Sequence, residues 1–446
     1  MVAPAQTPLT HDVTTTAREV ETDGPIAAAM KPVIEGSFGA SIPIRFQFWD
    51  GSTLNPPDQT VGTLAFKSPD AIRRLLWMPN ELGLGRAYVS GELDLEGDLF
   101  NVVLAFRDAK PEVANAGRAW KVLPSAVKAA KRIGALGRPL PPPPEEARLH
   151  GWRHSVKRDA TAIGHHYDVG NDFYRLVLGP TMTYSCARFA QPDFTLEDAQ
   201  TAKHDLICRK LGLHEHPGAR LLDVGCGWGS MVIHAAVHYD ARAVGITISK
   251  AQAALARQRV VEAGVADRVE IRLQDYRDLR GERFDAISSV GMSEHVGHDK
   301  LDQYFETLRE GLGPQGRLLN HAISSVGGST LGSRSFVGRY VFPDGELIDV
   351  GDTVLAMERA GFEVRDVESL REHYARTLRC WVDNLESHWD QAVELVGEPR
   401  AKIWRLYMAG SAVGFEDGGI AIHQVLGVVP SDTGNAAMPT TRRDWG

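Results

Sequence analysis

The sequence predicts an α/β protein built on a doubly wound parallel sheet, preceded by a small α+β domain. Three observations carry this. Strand-like and helix-like segments alternate from about residue 196, a glycine-rich turn follows the first of those strands, and a differently patterned stretch at about 40–110 is set apart by a proline run.

Residues 1–24 carry few large apolar side chains and read as a disordered tail, since they bury too little surface to offset the entropy of ordering. A small amino-terminal domain is expected over 25–125. Within it IPIRFQFWDGS alternates like a strand entering a turn, and SPDAIRRLLWM has helical spacing with Asp70 early in the helix.

Between 113 and 143 there is no acidic residue, while Arg118, Lys121, Lys128, Lys131, Arg132 and Arg138 surround Trp120, Leu123 and Val127. Two readings stand: an element lying on anionic lipid headgroups, or a solvated helix and linker. Pro139 and Pro141 to Pro144 make a stiff extended spacer, so 126–150 is expected to be a basic, Pro-rich linker.

A catalytic domain is expected over 151–430, with a polar tail at 431–446. LEDAQTAKHDLICRKL, SMVIHAAVHY and SKAQAALARQRVVEAG have helical spacing, and DKLDQYFETLREGL places Leu301, Tyr304, Phe305, Leu308 and Leu312 on one face. ARLLDV, ARAVGIT, RVEIRL, FDAISSV and GRLLNHAI are the intervening strands. Ligands of such a sheet sit at the carboxyl ends of its strands.

The chain has 446 residues, 43% of them hydrophobic and 24% charged, which fits several domains around real cores. Forty-nine Lys plus Arg against 57 Asp plus Glu leave a net charge of −8, a poor basis for nucleic-acid binding. Cys186, Cys208, Cys226 and Cys380 form no CxxC pair, which argues against a disulfide framework or structural zinc and for a reducing cytoplasm. No apolar run approaches a bilayer span and residues 1–24 lack a signal-peptide core, so the protein is expected to be neither exported nor transmembrane.

The strand ARLLDV runs into Gly225-Cys226-Gly227-Trp228-Gly229 and then a helix, which places glycines where backbone approaches a ligand closely. The spacing is neither GxGxxG nor a P-loop. Asp223 beside the loop repels phosphate but suits the sulfonium and ammonium of S-adenosylmethionine. A nicotinamide cofactor, or a glycine turn without a ligand, is the alternative at this stage. After the second strand Ile246 and Thr247 stand where an acidic ribose ligand is usual. Thr247, Ser249 and Gln252 offer neutral hydrogen bonds instead, with Ser249 equally suited to capping a helix, and Asp275 and Tyr276 offer a polar group and a ring for an adenine.

HHYDVGNDFYRLVL, MTYSCARF, LLDVGCGWG, GITISKAQ, QDYRDL, SVGMSEHVG, HAI, HYARTLRCW and GFEDGGIAIHQV, in this order over about 160–430, resemble the cyclopropane-fatty-acyl-phospholipid synthases and their mycolic-acid relatives. Residues 40–110 resemble the small amino-terminal domain of full-length members. The resemblance implies a class I methyltransferase (Rossmann-like) sheet and S-adenosylmethionine held by Tyr184, Ser185, Gly225, Gly227, Gly229, Thr247, Gln252, Asp275 and Tyr276, with Asp223 lining the loop. It implies methylene transfer across the double bond of an acyl chain in a phospholipid, with bicarbonate as base, held by Cys186, Glu294, His321, Tyr374 and the backbone of Ile323.

Two positions depart from the relatives. Ser293 replaces a bulky aromatic, expected to alter the acyl tunnel, and Ser411 replaces a cysteine. The competing product is a methylene branch, later reduced to methyl. Competing classes are a soluble small-molecule methyltransferase and a catalytically dead lipid-binding protein, the latter opposed by the intact Cys186, Glu294, His321 and Tyr374 set. Expected partners are unsaturated phospholipid at the inner membrane face, through peripheral association, and a reductase for a branched product. A homodimer is left open, and no nucleic acid is expected.

Overall fold

The computed structural model describes residues 24–109, 116–147, 169–328, 332, 335–343 and 345–445; the side chains of 116–121 and 444 lie outside this description. The expected tail at 1–23 and the first part of the HHYDV motif also lie outside the described residues.

The amino-terminal domain is a four-stranded sheet, β1 (Ile44–Gln47), β2 (Thr53–Leu54), β3 (Gly62–Phe66) and β4 (Leu93–Gly97), in the order β2-β1-β3-β4. β1 and β3 are parallel, and the other pairs are antiparallel. The helix expected from SPDAIRRLLWM spans Pro69–Trp77, its start fixed by Ser68, whose side chain accepts from the Asp70 N–H. Ile44, Phe46, Leu64, Phe66 and Ile72 bury their side chains between this sheet and the helix Pro25–Phe38.

The basic segment is a helix, Ala116–Arg132, so residues 126–132 of the expected linker belong to the folded domain. Val122, Ala129 and Ala130 are buried, whereas Leu123, Val127, Lys128, Lys131 and Arg132 face solvent. The proline spacer is strapped down: Arg74 donates to the Pro141 carbonyl, Trp77 Nε1 to the Gly137 carbonyl, and Arg86 pairs with buried Glu146 at 2.7 Å.

The larger domain carries a seven-stranded sheet. Its strands are β5 (Arg220–Val224), β6 (Arg242–Thr247), β7 (Val269–Leu273), β8 (Phe284–Val290), β9 (Leu312–Ser325), β10 (Glu363–Ser369) and β11 (Ile420–Val428), in the order β10-β11-β9-β8-β5-β6-β7. β5 to β9 pair in parallel, as the βα alternation predicts. β10 and β11 were not expected, and the sheet is not wholly parallel: β11 is antiparallel to both β9 and β10.

Helices cover both faces, and their starts are legible in the residues. Thr195 and Asp198 form a reciprocal capping box on Leu196–Lys210, and Ser249 accepts from the Gln252 N–H at the start of Lys250–Glu262. One apolar cluster joins the two domains, because Leu82, Val89, Leu99 and Phe100 pack with Phe173, Trp381, Trp404 and Tyr407.

The expected tail at 431–446 is packed. Ala436 and Trp445 are buried, and Arg317 donates to the Ala437 carbonyl at 3.0 Å. A lone tryptophan in a polar stretch supplies enough apolar area to hold the segment down.

Candidate active site

A cavity of about 380 Å³ opens at the carboxyl ends of β5, β6, β7 and β8, within the range of roughly 300–1,000 Å³ that holds small ligands. The glycine loop forms its floor. Gly225 and Gly227 have φ of +76° and +52°, a region costly for side chains, and a Cβ on Gly225 would lie 2.6 Å from Met292. Gly229 does not line the cavity. It begins the helix Ser230–Tyr239 with φ of +82° and faces Ala256, so its smallness serves helix packing and not the ligand.

Thr247 and Gln252 line the cavity and are fixed to each other, Thr247 Oγ1 lying 3.0 Å from Gln252 Oε1. Ser249 is the helix cap and lies outside the lining. Beyond β7, Tyr276 and Asp275 line the far end. Arg277 engages the Asp275 carboxylate at 2.9 Å and holds it below the usual range against the effect of burial. A neutral hydroxyl-amide pair and an aromatic ring thus face one end of the cavity.

At the other end stand Tyr184, Ser185 and Asp223. Burial raises the Asp223 carboxyl to about 6, although Ser288 donates to it at 2.6 Å. Lys203, from the helix Leu196–Lys210, was not anticipated. Its ammonium is buried, lines the cavity and donates to Ser185 Oγ at 2.9 Å. A signal was present: Leu196, Ala199, Lys203, Leu206, Ile207 and Lys210 form one helical stripe, so two lysines occupy its apolar face.

A second cavity, about 500 Å³ and mostly apolar, meets the first at Tyr184, Gly291 and His295. Its walls come from both domains: Leu64, Tyr88, Leu95 and Phe106 from the first, Phe336, Leu378, Phe415 and Ile420 from the second. Glu294, Ile323 and Tyr374 line it, as does Ser411. The Ile323 N–H donates to Glu294 Oε1 at 2.8 Å, while Glu294 Oε2 is buried without a hydrogen-bond partner. Burial raises the Glu294 carboxyl to about 7.

Cys186 and His321 line neither cavity. The Cys186 thiol points to the carbonyls of Ala187 and Leu370, and burial pushes its pKa up, away from thiolate chemistry. His321 is held on β9 by Gln424 at 3.1 Å, and its Nε2 is buried without a hydrogen-bond partner. Burial holds its pKa well below the ordinary value, so the ring is neutral. The expected set therefore divides: Glu294, Ile323 and Tyr374 face the apolar cavity, and Cys186 and His321 lie behind its wall.

Ser293 does not shape the acyl tunnel. It is buried, donates to Asn320 Oδ1 at 2.8 Å, and borders a separate polar void of about 10 Å³ shared with Glu294, Asn320 and His423. His295, which touches both large cavities and packs near Phe342, was also unanticipated.

The sheet order, the glycine loop and the cavity at the strand ends define a class I S-adenosylmethionine-dependent methyltransferase. Residues 154–425 match the family described as mycolic acid cyclopropane synthetase, and the chain belongs to that family. It is 43% identical to a probable fatty acid methyltransferase of Mycobacterium tuberculosis, over 90% of this chain and 94% of that one. It is 35% identical to the cyclopropane-fatty-acyl-phospholipid synthase of Escherichia coli K12, over 81% and 86% of the two chains. A solved mycolic acid cyclopropane synthase complexed with SAH and CTAB superposes with a TM-score of 0.57 at 35% identity, covering 60% of this chain and 98% of its own.

Proposed function

We propose that this methyltransferase acts on the double bond of an unsaturated acyl chain in a phospholipid and closes it to a cyclopropane. The observation that carries the proposal is the apolar cavity of about 500 Å³ that meets the cofactor cavity at Tyr184, Gly291 and His295, with Glu294 on its lining. A polar small-molecule acceptor has no use for such walls.

The residues present fit S-adenosylmethionine, because Asp223 complements its cationic end and Thr247, Gln252 and Tyr276 complement a nucleoside. When bound, it supplies an electrophilic methyl group. An alkene carries no proton for a base to remove first, so the site must align the chain, exclude water and tolerate positive charge on it. Leu378, Phe342 and Phe415 exclude water from the chain's path. Tyr184, Tyr374 and Tyr407 line this cavity and bring aromatic rings to the place where a cation would develop. Tyr184 is stacked on Trp381 at 5.2 Å and its hydroxyl lies 3.1 Å from that of Tyr407, which fixes both rings.

Ring closure requires loss of a proton from the newly attached methyl group. Bicarbonate would be held here by Glu294, Tyr374 and the Ile323 backbone, and it would supply the base. The buried Glu294 Oε2, without a hydrogen-bond partner among the described residues, fits an additional polar guest at the edge of this cavity. With its pKa near 7, Glu294 is available as a donor to an anion in its acid form.

The acyl chain must leave a bilayer to enter, and we place docking at the inner membrane face on the exposed side of the Ala116–Arg132 helix. Trp77 is 59% exposed, and Leu123, Val127 and Leu136 are exposed beside Lys128, Lys131, Arg132 and Arg138. Apolar tips among cations suit an anionic interface. No helix among the described residues is long and apolar enough to cross a membrane.

A second reading is favoured by the 43% identity to a protein named as a fatty acid methyltransferase: a methylene-branched chain, which a separate reductase would convert to a methyl branch. Incubation with labelled S-adenosylmethionine and vesicles of unsaturated phospholipid, followed by mass and NMR analysis of the lipid, decides. A ring proton signature supports the proposal; an exocyclic methylene supports the second reading. Label confined to water-soluble acceptors overturns both.

A further inference from the structure

We infer that Lys203 is the counter-ion for the carboxylate of the cofactor's amino-acid moiety, and so a binding residue of the methyltransferase. The inference rests on the methyltransferase class and not on the acyl substrate.

The geometry assigns the two ends of the cofactor cavity. Thr247, Gln252 and Tyr276 lie after β6 and β7, where a hydroxyl-amide pair and a ring suit a nucleoside. The apolar cavity joins beside Tyr184, Gly291 and His295, so the transferable methyl must lie there. The remaining end, formed by Ser185, Lys203 and Asp223, is left for a zwitterion. Asp223 matches an ammonium, and Lys203 is the cation that would match a carboxylate.

Lys203 also needs an anion. It is 1% exposed, its side-chain hydrogen bond among the described residues goes to the neutral Ser185 hydroxyl, and the nearby Asp223 carboxylate attracts it without standing within ion-pair distance. Lys210, equally buried one helical stripe further on, shows the contrast: it is paired with Asp366 at 2.8 Å and Glu368 at 2.5 Å. With no carboxylate in direct contact, burial of this ammonium is costly, and a ligand carboxylate would offset that cost. Ser185 Oγ accepts from the Lys203 ammonium at the cavity, whose lining includes both residues.

The test compares two ligands by calorimetry on the full-length protein: S-adenosylhomocysteine, and its decarboxylated analogue, which keeps the adenosine, thioether and amine. The wild type should prefer the carboxylate-bearing ligand by roughly 10- to 100-fold, the size expected of a buried charge-assisted bond. Lys203→Met should bind both alike. A wild type without preference, or a variant that keeps it, overturns the inference.

If Lys203→Met does not fold, a pH series on the wild type replaces it. Cys186, His204, Asp223, His234 and His321 are the titratable groups that interact electrostatically with Lys203. Burial holds the three histidines low and the thiol high, and leaves Asp223 near 6, so none of them titrates between pH 7.5 and 9. Burial lowers the Lys203 amine to about 7, and the preference should therefore fall severalfold across that interval as the free protein loses its charge. A constant preference overturns the inference.

Discussion

The backbone N–H of Ile323 holds Glu294 by a single carboxylate oxygen, Oε1, at 2.8 Å, and leaves Oε2 buried and partnerless. The contact joins the short helix Ser293–Val296, after β8, to the neighbouring strand β9 at the edge of the apolar cavity. It holds a carboxyl group at a buried position at a cost in stability, since burial raises its pKa to about 7 even against the lowering effect of the Ile323 N–H.

That cost sets a pH dependence. Unfolded, the carboxyl titrates near 4.5; folded, near 7, so the folded state binds more protons in between and loses stability as pH rises across that window. Glu294→Gln removes the penalty. Its melting temperature should exceed that of the wild type above pH 7 and converge with it below pH 4.5, as scanning calorimetry across pH would record. Turnover on unsaturated phospholipid should fall by about 10²-fold or more. A variant less stable at every pH would mean that the carboxylate is a structural anchor.

Tyr374→Phe removes one hydroxyl at the apolar cavity and keeps the ring packed on Phe415 and Trp381. Binding of S-adenosylhomocysteine should change less than about twofold while turnover drops at least tenfold, since the residue lies outside the cofactor cavity. Calorimetry alongside initial rates separates the two effects, and a parallel loss of both would assign Tyr374 to cofactor binding.

Ser411 sits on the wall of the apolar cavity, on the helix Glu398–Glu416. Enlarging it to Phe should exclude long acyl chains without touching the nucleoside end. Lipid profiling of the products should show preference moving to shorter chains or to none, with cofactor affinity retained. An unchanged profile would place the acyl path elsewhere.

Docking predicts a separable defect. Replacing Lys128, Lys131 and Arg132 with Gln, with Trp77→Ala, should weaken flotation with anionic vesicles by roughly tenfold or more, at about 1 kcal/mol per basic residue. Turnover on detergent-dispersed lipid should be preserved. Equal flotation of variant and wild type would remove this face from the proposal.

The parallel part of the sheet was legible because β5, β6 and β8 are buried, largely apolar runs, β7 alternates buried and exposed residues, and helical stripes separate the strands. β10 was not, because EVRDVES at the sheet edge is mostly charged and its one fully buried carboxylate, Asp366, is answered by Lys210 from a distant helix. Lys203 was hidden for a related reason: its hydrogen-bond partner Ser185 lies on a separate segment, although its place on an apolar stripe was a signal. The glycine loop was readable up to Gly227, whereas Gly229 owes its identity to Ala256, a residue far along the chain. Ser293 was misplaced because adjacent residues on the short helix Ser293–Val296 are committed differently: Glu294 reaches the apolar cavity as well as the small void, whereas Ser293 borders only the void and bonds to Asn320.

One side of the acyl cavity is built by the four-stranded sheet and its helices, through Leu64, Leu95, Val102 and Phe106. Cutting the chain at the proline strap would thus turn an enclosed tube into an open trough. The severed carboxyl-terminal piece would keep the residues that line the cofactor cavity, yet solvent would flood the apolar one, whose lid is inherited from the smaller domain.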